Sequence, residues 1–399
     1  MSLDLAKLVS QVGGMIARLK AGREEKQERL NNALDVLRRQ TPDLDSLASK
    51  IAASKTTWLV AGLVDGLDRH YEPPPCPPEF TVMATDGSHI DVDRHRSTRC
   101  YLINIGTVVL NYGAQPNALL DSIPNLYSGD EDLVISPAGV KGREQPVEGT
   151  LLGIKRGVDE LYQLVQLAKE LPAGSSSLAL LDGTLILWGL EAYPEFVTEA
   201  LLDKGFLSYL DDIKKLNSDK KLASASYISF SRSTDVANVL RVALCPYDPP
   251  DCDRYCSTSD KRDCDAVAGV RDRDLFLNLL GEGERSALFI SQSSIVNKHY
   301  GAHRVYFFYL RVDDEIARVE IPQWVALDEN LLNFTHSLVL DQCRRGQGYP
   351  VALSEAHEKA VVTGADREQF WQLVESSLVD EHLPTLASAK SLSKRTRWV

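Results

Sequence analysis

Two aspartates are the residues of this sequence best placed to do chemistry. Thr85-Asp86-Gly87-Ser88 and Leu181-Asp182-Gly183-Thr184 each follow an apolar, strand-forming run, Phe80-Thr81-Val82-Met83-Ala84 and Leu178-Ala179-Leu180-Leu181. Glycine after aspartate predicts a tight turn that leaves the carboxylate at a strand tip. A carboxylate held there by a sheet is a rigid, hard ligand for a divalent cation. Two such tips brought together would suit a two-metal phosphodiesterase site. Asp-Gly is also a common turn dipeptide, and either copy alone reads better as a plain loop. The repeated context, a small hydroxyl residue after both glycines, favours the chemical reading.

Other groups with chemical potential lie between and beyond these turns. Arg156 and Glu160 are four apart on one predicted helical face, the spacing of an ordinary surface ion pair. Tyr349 falls in a predicted turn, and His357 on the helix that follows it. Arg94, Arg96, Lys298, Arg344 and Arg345, with the tail residues Lys390, Lys394, Arg395 and Arg397, are candidates for a phosphate track, although each reads singly as a solvated charge. Cys245, Cys252, Cys256 and Cys264 cluster in a proline-containing loop. Four thiolates can hold structural Zn²⁺ or an iron–sulfur cluster. No Cys-x-x-Cys is present, so the loop reads equally as four unliganded thiols.

The elements that must position these groups are mixed. Residues 4 to 40 predict one helix and 43 to 70 a second, together a helical arm over 1–72. The run Pro73-Pro74-Pro75-Cys76-Pro77-Pro78 then interrupts regular structure. From Phe80 the texture becomes α/β. Strands are predicted ending at Asp86, over 99–112, ending at Asp182 and around 223–229. A helix is expected over 150–171, and 113–147 reads as loop. Strands return at 286–290, 303–311 and 315–320, and the last third is helical. The fold class expected is α/β, an RNase H-like mixed sheet flanked by helices, with the sheet domain over 79–399 and the cysteine loop at 245–264.

A formal charge of −12 disfavours a protein that coats nucleic acid nonspecifically, but acidic metal ligands are compatible with a nuclease. No apolar run spans a bilayer and no signal peptide is legible, so the expectation is a cytoplasmic protein with no membrane partner. There the odd set of seven cysteines would stay reduced.

Taken in order, TDGSHI, RGVDE, LLDGTL, GERSALF, FFYLRVDDEIARVEIPQWV and GYPVALSEAHEKAV resemble the NurA nuclease family from about residue 80 to the C-terminus. The resemblance implies an RNase H-like domain and manganese-dependent cutting of DNA, as a 5′–3′ exonuclease and single-strand endonuclease. It also implies a homodimer docked on a HerA-type hexameric ATPase, processing ends in recombinational double-strand break repair. Residue by residue, Asp86, Glu160, Asp182 and His357 resemble the metal-binding set, with Tyr349 beside them in the catalytic group and Glu148 a rival to Glu160. Such a set would hold two Mn²⁺ or Mg²⁺ ions. The competing readings are a metal-dependent phosphohydrolase of a small phosphoester and a non-catalytic repair adaptor.

Overall fold

The computed structural model describes residues 4–40, 43–93, 96, 98–137, 139, 142–257 and 261–383. Its main helices are α1 (Leu5–Ala21), α2 (Arg23–Gln40), α3 (Leu44–Ala53), α4 (Thr150–Glu170), α5 (Asp235–Leu244), α6 (Glu329–Arg345), α7 (Val351–Ala360) and α8 (Gly364–Asp380). The main strands are β1 (Phe80–Ile90), β2 (Tyr101–Tyr112), β3 (Asn117–Tyr127), β4 (Ser176–Asp182), β5 (Lys221–Ile228), β6 (Val305–Val312) and β7 (Glu315–Pro322). The chain forms two compact units. One comprises 1–72, 229–293 and 306–319, the other 73–228, 294–305 and 320–399.

The second unit carries a mixed sheet in the order β5-β4-β1-β2-β3. Strands β1, β2 and β3 form an antiparallel meander, and β4 and β5 then add in parallel to β1. This is an α/β sheet of RNase H-like arrangement. A parallel neighbour needs a crossover, and α4 supplies the one between β3 and β4. Helix α4 presents Leu161, Leu164, Val165 and Ala168, all fully buried, to a core that includes Met83, Ala179 and Leu181. Each large aliphatic group there contributes on the order of 2 kcal/mol by leaving water.

In the first unit α2 and α3 pack with α5 around Ala33, Leu37, Leu47, Val239 and Leu240. That core continues into Phe289, Phe307 and Tyr309 of the adjoining strands. A buried polar network crosses it. Asp272 accepts from the Val236 and Ala237 amides at the start of α5, and the Tyr309 hydroxyl donates to it at 2.6 Å.

Several elements differ from expectation. The first helix breaks at Gly22, which caps α1, and the second stops at Ala53, well short of residue 70. There Lys55 leaves the helix to pair with Asp251. Within the stretch expected as loop, 117–127 is a full strand, β3. It carries Pro124, Asp121 and Ser122 because it is an edge strand with a largely exposed face. Among the described residues no helix is long and apolar enough to cross a membrane.

Candidate metal-dependent active site

Register brings the two aspartates together. Parallel pairing of β1 and β4 runs from Thr81↔Ser177 to Thr85↔Leu181, so Asp86 and Asp182 come next on adjacent strands. They do not share the predicted local geometry. Gly183 has φ +86° and turns the chain after β4. At Asp86 there is no turn, because β1 continues to Ile90 and Asp86 sits inside the strand.

The glycine after Asp86 serves a different need. A Cβ on Gly87 would lie 2.6 Å from Glu160 Oε1 and 2.9 Å from Arg156 Cγ. Its absence lets the carboxylate of α4 approach the sheet beside Asp86. The Thr85 hydroxyl donates to the Glu160 carbonyl at 3.0 Å and pins α4 at that residue. Across the ladder, Asp86 pairs with Gly106. A Cβ there would come within 2.1 Å of the Ala356 carbonyl, so α7 can cross the sheet only over glycine. The amide of Asn104 donates to the Ala360 carbonyl at 2.9 Å and holds the end of α7 in place. In this way α7 sets His357 against Asp86, Nδ1 to Oδ2, at 2.7 Å. With Nδ1–H as donor, Nε2 keeps its lone pair on the exposed edge of the ring.

Tyr349 precedes α7, packs edge-on against Tyr227 of β5, and donates its hydroxyl to Asp182. Burial, and then the Asp182 charge, raises the Tyr349 hydroxyl above its ordinary range, so it stays a donor. The structure therefore gathers Asp86, Glu160, Asp182, Tyr349 and His357 around the ends of β1 and β4.

The electrostatics are those of crowded, desolvated carboxylates. Burial pushes Glu160 up to about 8; Arg156 opposes the shift, and the charges of Asp86 and Asp182 add to it. Asp182 is raised too, first by burial, with the Tyr349 hydrogen bond opposing and Asp86 reinforcing. Arg156 Nε faces Glu160 Oε1 at 3.0 Å without the alignment of a hydrogen bond, and that oxygen has no hydrogen-bond partner. Hard oxygen donors, mutual repulsion and a buried oxygen lacking a bond suit a divalent cation in donor type and charge. Among the described residues no three such side chains are already grouped closely enough to hold an ion. Binding would draw the carboxylates inward.

One contributor was not legible as such. Glu320 of β7 is 1% exposed and accepts from Thr184 Oγ1 at 2.7 Å and from the Leu185 amide at 2.9 Å. It thereby fixes the turn that follows Asp182. The available signal was a charged residue among the apolar positions of a strand, Val319-Glu320-Ile321.

The expected phosphate track is not assembled as a set. Arg96 is 9% exposed in its side chain, ion-paired with Asp93 and Glu375, and stacked over Trp371 at 4.3 Å. It ties β1's exit to α8 and is not available to a phosphate. Lys298 is exposed and paired with Glu195 at 3.0 Å. Arg345 pairs with Asp341 at 2.6 Å and lies over Tyr112, and Arg344 is exposed at the end of α6. Arg94 and the tail cations Lys390, Lys394, Arg395 and Arg397 lie outside the described residues. Cys245, Cys252, Cys256 and Cys264 belong to the other compact unit and are unoxidised.

Comparison with known proteins places this geometry. A sequence model of the NurA domain matches residues 80–362, a span that contains all five gathered side chains. No curated protein matches the chain. Among solved structures, the prototype foamy virus protease–reverse transcriptase matches at 16% identity with a TM-score of 0.21, covering 40% of this chain and 19% of that one. The chain thus spans about a fifth of that solved structure.

Proposed function

This chain belongs to the NurA family, a nuclease family of DNA repair, and on that premise we propose that the Asp86–Glu160–Asp182 cluster hydrolyses phosphodiester bonds in DNA. The observation that carries the reading is the register of β1 and β4. It sets Asp86 and Asp182 side by side while Gly87 admits Glu160. Asp86, Glu160, Asp182 and His357 would hold two divalent cations, Mn²⁺ or Mg²⁺. Such a pair, when bound, acidifies water and neutralises charge at the leaving oxygen. A nitrogen donor among the oxygens favours manganese.

The chain's own contributions are positional. Thr85 and Gly87 fix where Glu160 arrives, and Glu320 through Thr184 fixes the turn behind Asp182. Tyr349 keeps its proton and can donate it to a phosphate oxygen when Asp182 is otherwise engaged. Arg156 sits at the cluster's edge, where it limits repulsion and can face the substrate's charge.

The finer reading is a 5′–3′ exonuclease and single-strand endonuclease that resects DNA ends as a homodimer on a HerA-type hexameric ATPase. The surface of α1 supports self-association. Leu5, Val9, Val12, Ile16 and Leu19 are all exposed, and their alternating spacing of four and three is a coiled-coil seam. A motor that feeds the strand would also let an acidic protein cut DNA without strong affinity of its own.

End-labelled single- and double-stranded DNA, incubated with the full chain in manganese or in chelator, tests the reading. Cleavage in manganese that chelator abolishes is expected. Intact DNA under both conditions, with turnover of a small phosphoester, would turn the site into a phosphohydrolase. Inactivity toward both substrates would leave a non-catalytic adaptor.

A further inference from the structure

The four clustered cysteines lie outside the nuclease reading, and nothing in that chemistry uses them. Cys245 caps the end of α5, Cys252 and Cys256 flank one helical turn, and Cys264 opens into the short helix Asp263–Val267. The segments that carry them are fastened together. Tyr247 and Tyr255 stack with centroids 4.1 Å apart and planes within 8°, which folds the Cys245 arm onto the Cys252–Cys256 turn. The Cys256 amide donates to the Cys252 carbonyl at 3.0 Å. Arg241, one turn before Cys245 on α5, donates to Cys264 Sγ at 3.9 Å and brings the fourth thiol to the same helix end. Lys50 donates to the Cys245 carbonyl at 2.6 Å, and the Cys252 amide donates to the Lys55 carbonyl at 2.9 Å.

We propose that Cys245, Cys252, Cys256 and Cys264 together ligate an iron–sulfur cluster that staples this loop to α5 and to the segment after α3. All four are reduced, and three are half-buried, the fourth buried. That is the state and access that assembly of a thiolate centre needs. They are mutual neighbours: burial, and then the thiols of Cys252, Cys264 and Cys245, raise the Cys256 thiol. Yet among the described residues no three donors are grouped closely enough to share one ion. A single zinc draws four sulfurs to about 2.3 Å from one point. A polynuclear cluster spreads its thiolates over several irons, so they stand further apart. Four thiolates around such a cluster leave net negative charge, and Arg241 and Lys50 stand beside the loop to offset it. Arg241 is itself held over the Trp58 ring at 4.1 Å.

The test uses the full chain purified without oxygen from iron-replete cells, with iron, zinc and acid-labile sulfide measured per chain. Iron and sulfide in equal amounts, roughly two or four of each, with a broad visible absorbance bleached by dithionite, are expected. Cys252→Ser should lose that absorbance and most of the iron, while the exposed Cys76→Ser keeps both. Because the wild-type measurement stands alone, a variant that fails to fold does not shield the proposal. One zinc per chain without sulfide, no metal at all, or a folded Cys252→Ser protein with undiminished iron would each overturn it.

Discussion

Asp86 and His357 touch across 271 positions of sequence, and Glu160 and Asp182 join them from two further elements. The four cysteines instead occupy one loop, residues 245–264, and meet through local stacking and short-range hydrogen bonds. Both regions gather metal-binding side chains, by opposite means. In the carboxylate site, sheet register and helix crossing fix each donor before any ligand arrives. Two glycines there do no more than make room. In the cysteine loop the backbone has little regular structure to lose, and a ligand would supply much of the order. The first arrangement suits chemistry, which needs preset geometry; the second suits a staple.

The comparison can be broken at the preset geometry first. Asp182→Ala should lower DNA cleavage by about 1000-fold or more, because a two-metal site loses a shared ligand worth several kcal/mol of transition-state stabilisation. Single-turnover cleavage by protein with unchanged circular dichroism measures this. Gly87→Val should come next. Its side chain would occupy the space of the Glu160 carboxylate, so activity falls on the order of 100-fold while the sheet survives. Cleavage rates beside a thermal melt separate the two effects, and unchanged activity would show that Glu160 is not needed where it lies.

His357→Ala should cost about 10-fold and weaken the preference for manganese over magnesium, since one nitrogen donor is lost and the oxygens remain. Parallel titrations with the two ions read this directly. A fourth prediction concerns stability without metal. Glu160 titrates near 8 in the folded protein against 4.5 as the reference value. A raised carboxylate keeps its proton in the fold, so the stability it carries is complete below the lower value and is lost as pH rises toward the upper one. Metal-free protein should therefore lose about 1.4 kcal/mol per pH unit across that window from this group. Glu160→Gln should flatten the slope, and manganese should restore the wild type, both readable in urea melts at several pH values. The smallest effect belongs to Arg96→Ala. It should lower the melting temperature through lost contacts to Trp371 and Glu375 and leave cleavage within about twofold.

Much of this arrangement was legible in the sequence, because strand patterning marked β1 and β4 and the acidic residues ended or interrupted them. The α/β class and the order of the late helices followed from periodicity in the same way. What could not be read was anything fixed by long-range packing. The first Asp-Gly pair looks like a turn and is not one, since Gly87 answers a contact from Glu160 that only the folded α4 creates. Strand β3 looks like loop because an edge strand tolerates proline and polar residues on its free face. Arg96 looks like a phosphate ligand because its partners Trp371 and Glu375 are far along the chain. Glu320 was visible only as a charge in an apolar strand, without the turn it holds.

Manganese titration of the full chain, with the free ion followed by electron paramagnetic resonance, tests the central claim most directly. The account predicts about two ions bound per chain in the wild type, and loss of both in the Asp86→Asn, Asp182→Asn double variant while its fold persists. Equal binding by the folded double variant and the wild type would contradict it, because the ions would then sit somewhere other than at the ends of β1 and β4.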